Sequence, residues 1–513
     1  MGTSERLIKN TFFLYMKMVV TMFVAFLTTR IVLNALGKSD FGVFNLVGGA
    51  IAMLGFLNVT MASTTQRFMN ISEGENNPEK QKTVFNVGLV IHFGLALLMG
   101  LVLFGLGFYF FNGGLNIPHE RGEAAFIVYA CMIVSTMFTI MSVPYDAMLN
   151  AHENMKYYAI VGIIESLLRL GVALLVSRTS GDRLIVYGIF MALIPLCSLS
   201  FMRIYCHKHY DECVFQPHRY WSRPMLREEL SFASWNLLTA MSMGGTMYGM
   251  GLVANHFWGV IVNAAQGIAT QVGGAVMHFS ESAMKALNPI IIKSEGAGNR
   301  QRLLYTTMLG CRVSFTIFAF FSIPIVVEMP LILQLWLKNV PEWTIVFCRL
   351  QLALYCCLQL VNSIATTIYA EGHIRNYAIG KSITNLLPLA VAALLFWKGF
   401  SPSYIYILEI IGWFIFGGAI ILYYAHQQVG FSIRTYLRSV LAPIGSLLAV
   451  VVPSLYALYH VVQPVIDEIW GKLIILIVYA ALYIVLAYFI VMTKDEKKTL
   501  MKAFRKHVLK SKK

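Results

Sequence analysis

From Thr11 to Met492 the chain keeps returning to apolar stretches of bilayer length. A spanning helix takes about 20 mostly apolar residues. Stretches of that kind fall at about 11–34, 41–65, 84–111, 123–149, 156–177 and 184–205, then at 230–252, 257–281, 305–327, 344–370, 376–397 and 402–424, and finally at 437–460 and 470–492. With 58% hydrophobic and 13% charged residues, this pattern describes a polytopic membrane protein rather than a set of soluble domains. No small-residue cleavage site follows the first apolar run, so it is read as a retained first helix and not as a signal peptide.

The spans are not independent of one another. Ala151–Leu175 aligns with Ala370–Leu394 at an offset of 219, and eleven of the 25 positions are identical, among them Tyr158/Tyr377, Ala159/Ala378 and Ile160/Ile379. Upstream, Ser72-Glu73-Gly74 aligns with Ser294-Glu295-Gly296 at an offset of 222, and Lys80 then meets Arg302. Two separate stretches thus agree on a repeat of roughly 220 residues. The expected fold is all-α, about 14 transmembrane helices arranged as six, six and two. Six is even, so both copies enter the membrane from the same side and form parallel repeats about an axis along the membrane normal. The organisation is an N-lobe (1–215), a linker with a C-lobe (216–430), and two last helices with a basic tail (431–513).

The formal net charge of +15 is a topology signal, not a nucleic-acid signal. With the N-terminus inside, 28 of the 40 Lys and Arg fall in cytosolic segments. The outer loops hold only Lys38, Arg121, Arg178, Arg183, Lys338, Lys398 and Lys472. That excess places both termini in the cytosol. The longest polar interval, Cys206–Glu229, divides the copies and is read as a cytosolic linker beside anionic headgroups. Its CHKHYDEC run is not read as a metal site, because no ligand cluster elsewhere completes it. The tail from Lys494 sets Leu500, Met501, Phe504, Val508 and Leu509 on one helical face against Lys and Arg on the other, the pattern of a helix lying on an anionic leaflet. The eight cysteines form no CxxC pair and are read as reduced bystanders. No phosphate loop, zinc pattern or nucleophile elbow occurs, and no outer loop exceeds about 16 residues, so an enzyme is not expected and no cofactor or metal is assigned.

Ionisable groups inside spans are costly and are candidates for function. The first span carries Lys17 and Arg30 and no acid, 13 residues and roughly 20 Å apart along a helix. Arg67 and Lys285 stand near the cytosolic ends of the second and eighth spans, and Arg169, Arg312 and Arg349 lie in the fifth, ninth and tenth. The acids are Asp146, Glu165, Glu281 and Glu409, which are candidates for coupling to Na+ or H+. Glu165/Arg169 and Glu281/Lys285 share the i, i+4 spacing that also permits neutralisation within one helix. The seventh and eighth spans are rich in amides and glycine, and Asn236, Asn255, Asn263, Gln266 and Gln271 must face water or another helix. His92 and His278 are read as packing or hydrogen-bonding groups.

The run ALGKSDFGVFNLVGG (Ala35–Gly49), the Ser72-Glu73-Gly74 loop and NAHENMKYYAI from Asn150, within this arrangement of spans, resemble the MOP superfamily of MATE exporters, lipid II flippases and Wzx-type polysaccharide flippases. The flippase branch is the most similar, across essentially the whole chain. The resemblance implies two six-helix lobes about a cavity lined in part by spans 1, 2, 7 and 8. Alternating access would move a headgroup across while a polyprenyl tail stays in lipid. Exporters of cationic drugs typically use acids, often one in the first span, where this chain has Lys17 and Arg30. A basic cavity suits a pyrophosphate, held by charge-assisted hydrogen bonds. The expected function is inner-to-outer translocation of an undecaprenyl-pyrophosphate oligosaccharide for O-antigen or capsule biosynthesis. Glycan polymerase or assembly proteins are possible partners, and a coupled drug or metabolite antiporter is the alternative.

Overall fold

The computed structural model describes residues 3–52, 55–111, 119–337, 340–462 and 468–498. The amphipathic tail face from Leu500 to Leu509 lies outside them, as does Lys338. Among the described residues there is no strand. The helices are α1 (Thr3–Ala52), α2 (Gly55–Gly74), α3 (Pro78–Tyr109), α4 (Gly122–Ala151), α5 (Met155–Ser177), α6 (Arg183–His209), α7 (Arg223–Trp258), α8 (Val260–Gly296) and α9 (Arg300–Val327). They continue as α10 (Met329–Leu337), α11 (Thr344–Glu371), α12 (Arg375–Trp397), α13 (Tyr404–Val429), α14 (Ile433–Val461) and α15 (Trp470–Val491). The first two expected spans are joined through α1, which breaks at Gly37, where φ is 78°. That left-handed conformation suits a residue without Cβ.

Twelve of the described helices are long and apolar enough to cross a membrane, and the protein is a multi-pass membrane protein. The helices of spans 2 and 8 are also present, as α2 and α8, but are not among those twelve. These two hold equivalent places in the repeat, and their polar content has local partners. In α2, for example, the Thr60 and Thr64 hydroxyls donate to Phe56 O and Thr60 O at 2.9 Å each. Three expectations need correction. α6 runs on to His209 and α7 begins at Arg223, so the linker is only 210–222 and Glu229 is helical. α2 and α8 extend well past residues 65 and 281, to Gly74 and Gly296. The short α10 was not anticipated: nine apolar residues are too few to register as a span.

The backbone repeats where the sequence does. Asn77 and Asn299, 222 apart, each cap the next helix by accepting the N–H three residues on, from Lys80 and Arg302, at 3.0 Å in both cases. Each follows a residue with positive φ, Asn76 at 53° and Gly298 at 65°. At the other offset, Glu153 (φ 53°) and Gly372 (φ 106°) hold the same left-handed place after α4 and α11.

The chain divides into two compact units, one of residues 10–240 with 292–298, the other of 1–9, 241–291 and 299–513. The first is built on a core of small and β-branched residues from α1, α3, α4, α5 and α6, including Val47, Leu103, Ala125, Val128 and Ala173. On its outer side, as the charge pattern assigns sides, Arg121 Nε donates to Asp40 at 2.7 Å and its Nη1 to Asp182 at 2.8 Å, joining the turn before α4 to α1 and to the N-cap of α6. Burial works to raise the Asp182 pKa, but the Arg121 hydrogen bond and the N–H groups of Ile185 and Leu184 outweigh it and hold it below the usual value. The second unit has its own core from α7, α8, α9, α11, α12 and α13, including Ala265, Phe318, Phe347 and Ile405.

In the first unit the two copies of the Ser-Glu-Gly loop touch reciprocally. A Cβ added to Gly74 would collide with the Lys293 carbonyl oxygen, and one added to Gly296 would collide with that of Ile71. These contacts exchange under the 222-residue offset. The obstacle is backbone, which has little room to yield. Gly74→Ala and Gly296→Ala are each expected to destabilise the unit by about 1–3 kcal/mol, as overpacking does. The double variant should cost less than the sum, since one separation relieves both clashes. Unfolding of purified protein in detergent measures all three; additive costs would show that the contacts are independent.

Candidate functional site

In the first unit, Lys17 lies half-buried against α5. Its Nζ stands 3.9 Å from the centre of the Tyr158 ring. Gly162, one turn on, leaves space for its stem, and a Cβ there would come within 2.8 Å of Nζ. The ammonium therefore rests on an aromatic face, which attracts a cation without neutralising it. Arg30 is exposed, and among the described residues no acid pairs with it. Between Lys9 and Gly37 there is no Asp or Glu at all.

Arg67 is buried, its guanidinium 4.8 Å and 4.6 Å from the ring centres of Phe68 and Phe232. It thereby joins α2 to the first part of α7. Asn236 reinforces the same junction, donating from Nδ2 to the Ser63 hydroxyl at 2.8 Å. Glu229 belongs to this region too: it is fully buried, and neither carboxylate oxygen has a hydrogen-bond partner. An unmade hydrogen bond of this kind is costly, which makes Glu229 a site residue that the sequence reading placed in the linker and passed over. The signal was available in the Glu-Glu pair at 228–229, immediately before an apolar run.

Arg169 is held by Glu165 at 2.6 Å within α5, so the i, i+4 pairing is real and both charges are largely accounted for. The Ser198 hydroxyl also reaches Glu165, at 3.4 Å. Asp146 accepts from Asn150 Nδ2 at 3.3 Å. His92 is buried, its Nδ1 2.9 Å from Gly88 O.

In the second unit, Gln266 on α8 faces Gly251 on α7, with 3.6 Å between its Oε1 and the place of a Gly251 Cβ. Asn263 is half-buried with its Oδ1 unpartnered, Asn255 is half-buried, and Gln271 is exposed. Glu281 is exposed and its Oε2 lies 3.2 Å from His278 Nδ1. Lys285, half-buried, sits one turn further along α8. Arg349 is exposed and donates from Nε to Val326 O at 2.9 Å. Arg312 is buried and committed elsewhere: it donates to Glu496, beyond α15, and at 3.0 Å to Ser439 O on α14.

Glu409 is buried at the start of a π-helical segment, 410–416, inside α13. Within that segment the Trp413 carbonyl accepts from Lys381 Nζ at 3.1 Å. Lys381 occupies in the second copy the place of Gly162 in the first, at the 219 offset. Each unit thus brings one lysine ammonium to that position, from α1 in the first and from α12 itself in the second. Sequence reasoning did not single out Lys381; the repeat alignment held the clue.

One His/acid cluster occurs among the described residues, Glu73, His152 and Glu212. The two ring nitrogens of His152 face different carboxylates, and the Lys293 ammonium lies 3.7 Å from Glu73. These contacts form an ion-pair network.

No known family profile matches the chain, and no curated protein matches it. Solved structures do. A MATE crystal structure in the bent conformation superposes with a TM-score of 0.74 at 14% identity, covering 85% of this chain and 97% of that one. A MATE structure in the straight conformation gives 0.73 at 14% identity, over 84% and 97%. A MOP superfamily transporter from Pyrococcus furiosus, described as having a binding pocket of reverse polarity that suggests a different function, gives 0.70 at 13%, over 84% and 96%. The chain has the fold of MATE transporters of the MOP superfamily.

Proposed function

We propose that this chain, built on the MATE transporter fold, is a flippase that carries a polyprenyl-pyrophosphate oligosaccharide from the inner to the outer leaflet by alternating access. One observation carries the reading: the first membrane helix presents Lys17 and Arg30 with no acid between Lys9 and Gly37, and neither cation is neutralised by a carboxylate among the described residues. Such a helix repels organic cations and suits a pyrophosphate, which takes charge-assisted hydrogen bonds from ammonium and guanidinium groups. A binding pocket of reverse polarity is also described for the Pyrococcus furiosus transporter of this fold. Arg67 and Lys285 are the next groups on the pyrophosphate path, and the amides Asn236, Asn255, Asn263, Gln266 and Gln271 are the sugar-facing ones. On this reading the protein sits in the inner membrane with both termini cytosolic, its basic segments against anionic lipids. Glycan polymerase or assembly proteins would act on what it delivers.

A second reading has its own support. Glu229 and Glu409 are buried carboxyl groups, the kind of residue a Na+- or H+-coupled drug antiporter uses. The test is leaflet-resolved movement of a labelled polyprenyl-pyrophosphate oligosaccharide in proteoliposomes, run beside efflux of a cationic dye. Lipid movement without dye efflux is expected. Dye efflux driven by an ion gradient, with no lipid moved, would establish the antiporter instead.

A further inference from the structure

The first unit gathers five ionisable residues from four segments that the charge pattern assigns to the cytosolic side. They are Glu73 at the end of α2, His152 and Glu153 in the α4–α5 turn, Glu212 in the linker, and Lys293 near the end of α8. His152 is at the centre. Its Nδ1 lies 3.5 Å from a Glu73 carboxylate oxygen, and its Nε2 lies 3.8 Å from a Glu212 oxygen. The ring is stacked on Tyr210, 4.1 Å between centres and 4° from parallel. Tyr210 is itself fixed, since its hydroxyl accepts from Asn154 Nδ2 at 3.0 Å. Lys293 completes the circuit, 3.3 Å from Glu153 and 3.7 Å from Glu73. The second oxygen of Glu73 accepts from Gln81 Nε2. Two neighbours of the imidazole, Glu73 and Tyr210, are therefore held in place by further contacts.

Chemistry distinguishes the two forms of such a ring. A neutral imidazole has one N–H, so one of its nitrogens must turn a lone pair toward a carboxylate. Here Nε2 is buried with no hydrogen-bond partner. Uptake of one proton at that nitrogen removes the lone pair, gives both nitrogens an N–H, and sets a single positive charge between two negative ones. The balance of the cluster supports this: Glu73, Glu153 and Glu212 carry three negative charges against the positive charges of Lys293 and of Lys82, which acts on Glu212 from α3. The nearness of His152 is also the chief reason that the Glu212 pKa lies below its usual value, although burial opposes it.

We propose that His152 is a proton-binding site whose occupied form latches the end of α8, residues 292–298, to the α2 end, the α4–α5 turn and the linker. The proposal rests on the transporter reading for its purpose: a transporter of this fold has to control when its cytosolic segments release. It also explains why the reciprocal Gly74 and Gly296 contact lies beside an ion-pair network. The glycines let the two loops meet backbone to backbone, and the network around His152 sets how tightly they hold. Acidification favours the latched form, because a ligand shifts an equilibrium toward the state that binds it better.

The experiment places spin labels at Glu79→Cys and Ala297→Cys in a cysteine-free background, in nanodiscs without substrate, and records distance distributions from pH 8 to pH 6. The ratio of short-distance to long-distance populations should rise by about tenfold, within the hundredfold ceiling that one proton sets over two pH units. In His152→Gln, neutral throughout, the ratio should stop responding to pH. Glu212→Gln keeps the histidine but removes the charge facing Nε2, and it should flatten the response even if His152→Gln folds poorly. A wild-type ratio indifferent to pH would overturn the proposal, and so would a response that survives in either variant. A response abolished by EDTA would also overturn it, assigning the cluster to a metal ion. Transport is not part of this readout. A latch that titrates in a protein that moves no lipid refutes only the flippase reading, and lipid movement with a silent latch refutes only this one.

Discussion

Lys17→Ala and Arg30→Ala should each lower the rate of oligosaccharide-lipid transfer by roughly 10- to 150-fold, the range set by losing a hydrogen bond to a charged group, about 1.5–3 kcal/mol. The two losses have different controls. Lys17 has a structural contact, its ammonium 3.9 Å over the Tyr158 ring, so its truncation also removes a cation–π interaction of about 0.5–2 kcal/mol. Lys17→Arg keeps charge and stacking and should retain most of the activity; Lys17→Met keeps the apolar stem and should not. Arg30 has no described acid partner, so Arg30→Ala should leave the unfolding temperature unchanged while transfer falls. Parallel measurement of transfer and of thermal unfolding in the same preparations separates the effects. Normal transfer in Arg30→Ala would remove this residue from the pyrophosphate path.

Arg312→Met is expected to be the most destabilising of these substitutions, at about 3–5 kcal/mol, the cost of leaving a buried charge without its partner. The side chains of Arg312 and Glu496 are 5% and 9% exposed. Glu496 also accepts the Thr493 N–H at 2.8 Å, which fixes its direction. With Arg312 gone, that carboxylate stays buried beside α9. The double variant Arg312→Met/Glu496→Gln should recover much of the loss, because no uncompensated charge then remains. Denaturant unfolding in detergent checks both. The result also bears on function: a residue that ties α9 to α14 and to the end of α15 has little capacity left for a passing phosphate, so the double variant should transport nearly normally.

The buried carboxyl Glu229 shows where reading from sequence stops. Helix termini are the least certain part of any such reading, and here the error of a few residues moved an acid from a span into a loop. Lys381 was not singled out either. Only the π segment of α13, with Trp413 O turned toward the ammonium, shows that the charge is held inside. The pairing of Arg169 with Glu165 was legible because i, i+4 neighbours meet on any helix. The pairing of Arg312 with Glu496, 184 residues apart, was not.

What the sequence by itself determined is the all-helical, membrane-spanning class, the positions of most spans, and the repeat. These depend on local composition and on matches between stretches of chain, both of which survive without coordinates. The repeat was even written in loop residues whose backbone could then be checked, Asn76 against Gly298 and Glu153 against Gly372. Tertiary structure alone decided which charges are already satisfied, which carboxyl is left without a partner, and that Glu73, His152, Glu212 and Lys293 form one network. The reason is physical. A side chain's charge is set by its type, but its availability is set by neighbours that arrive from distant parts of the chain, and no local pattern specifies which of them will come within 4 Å.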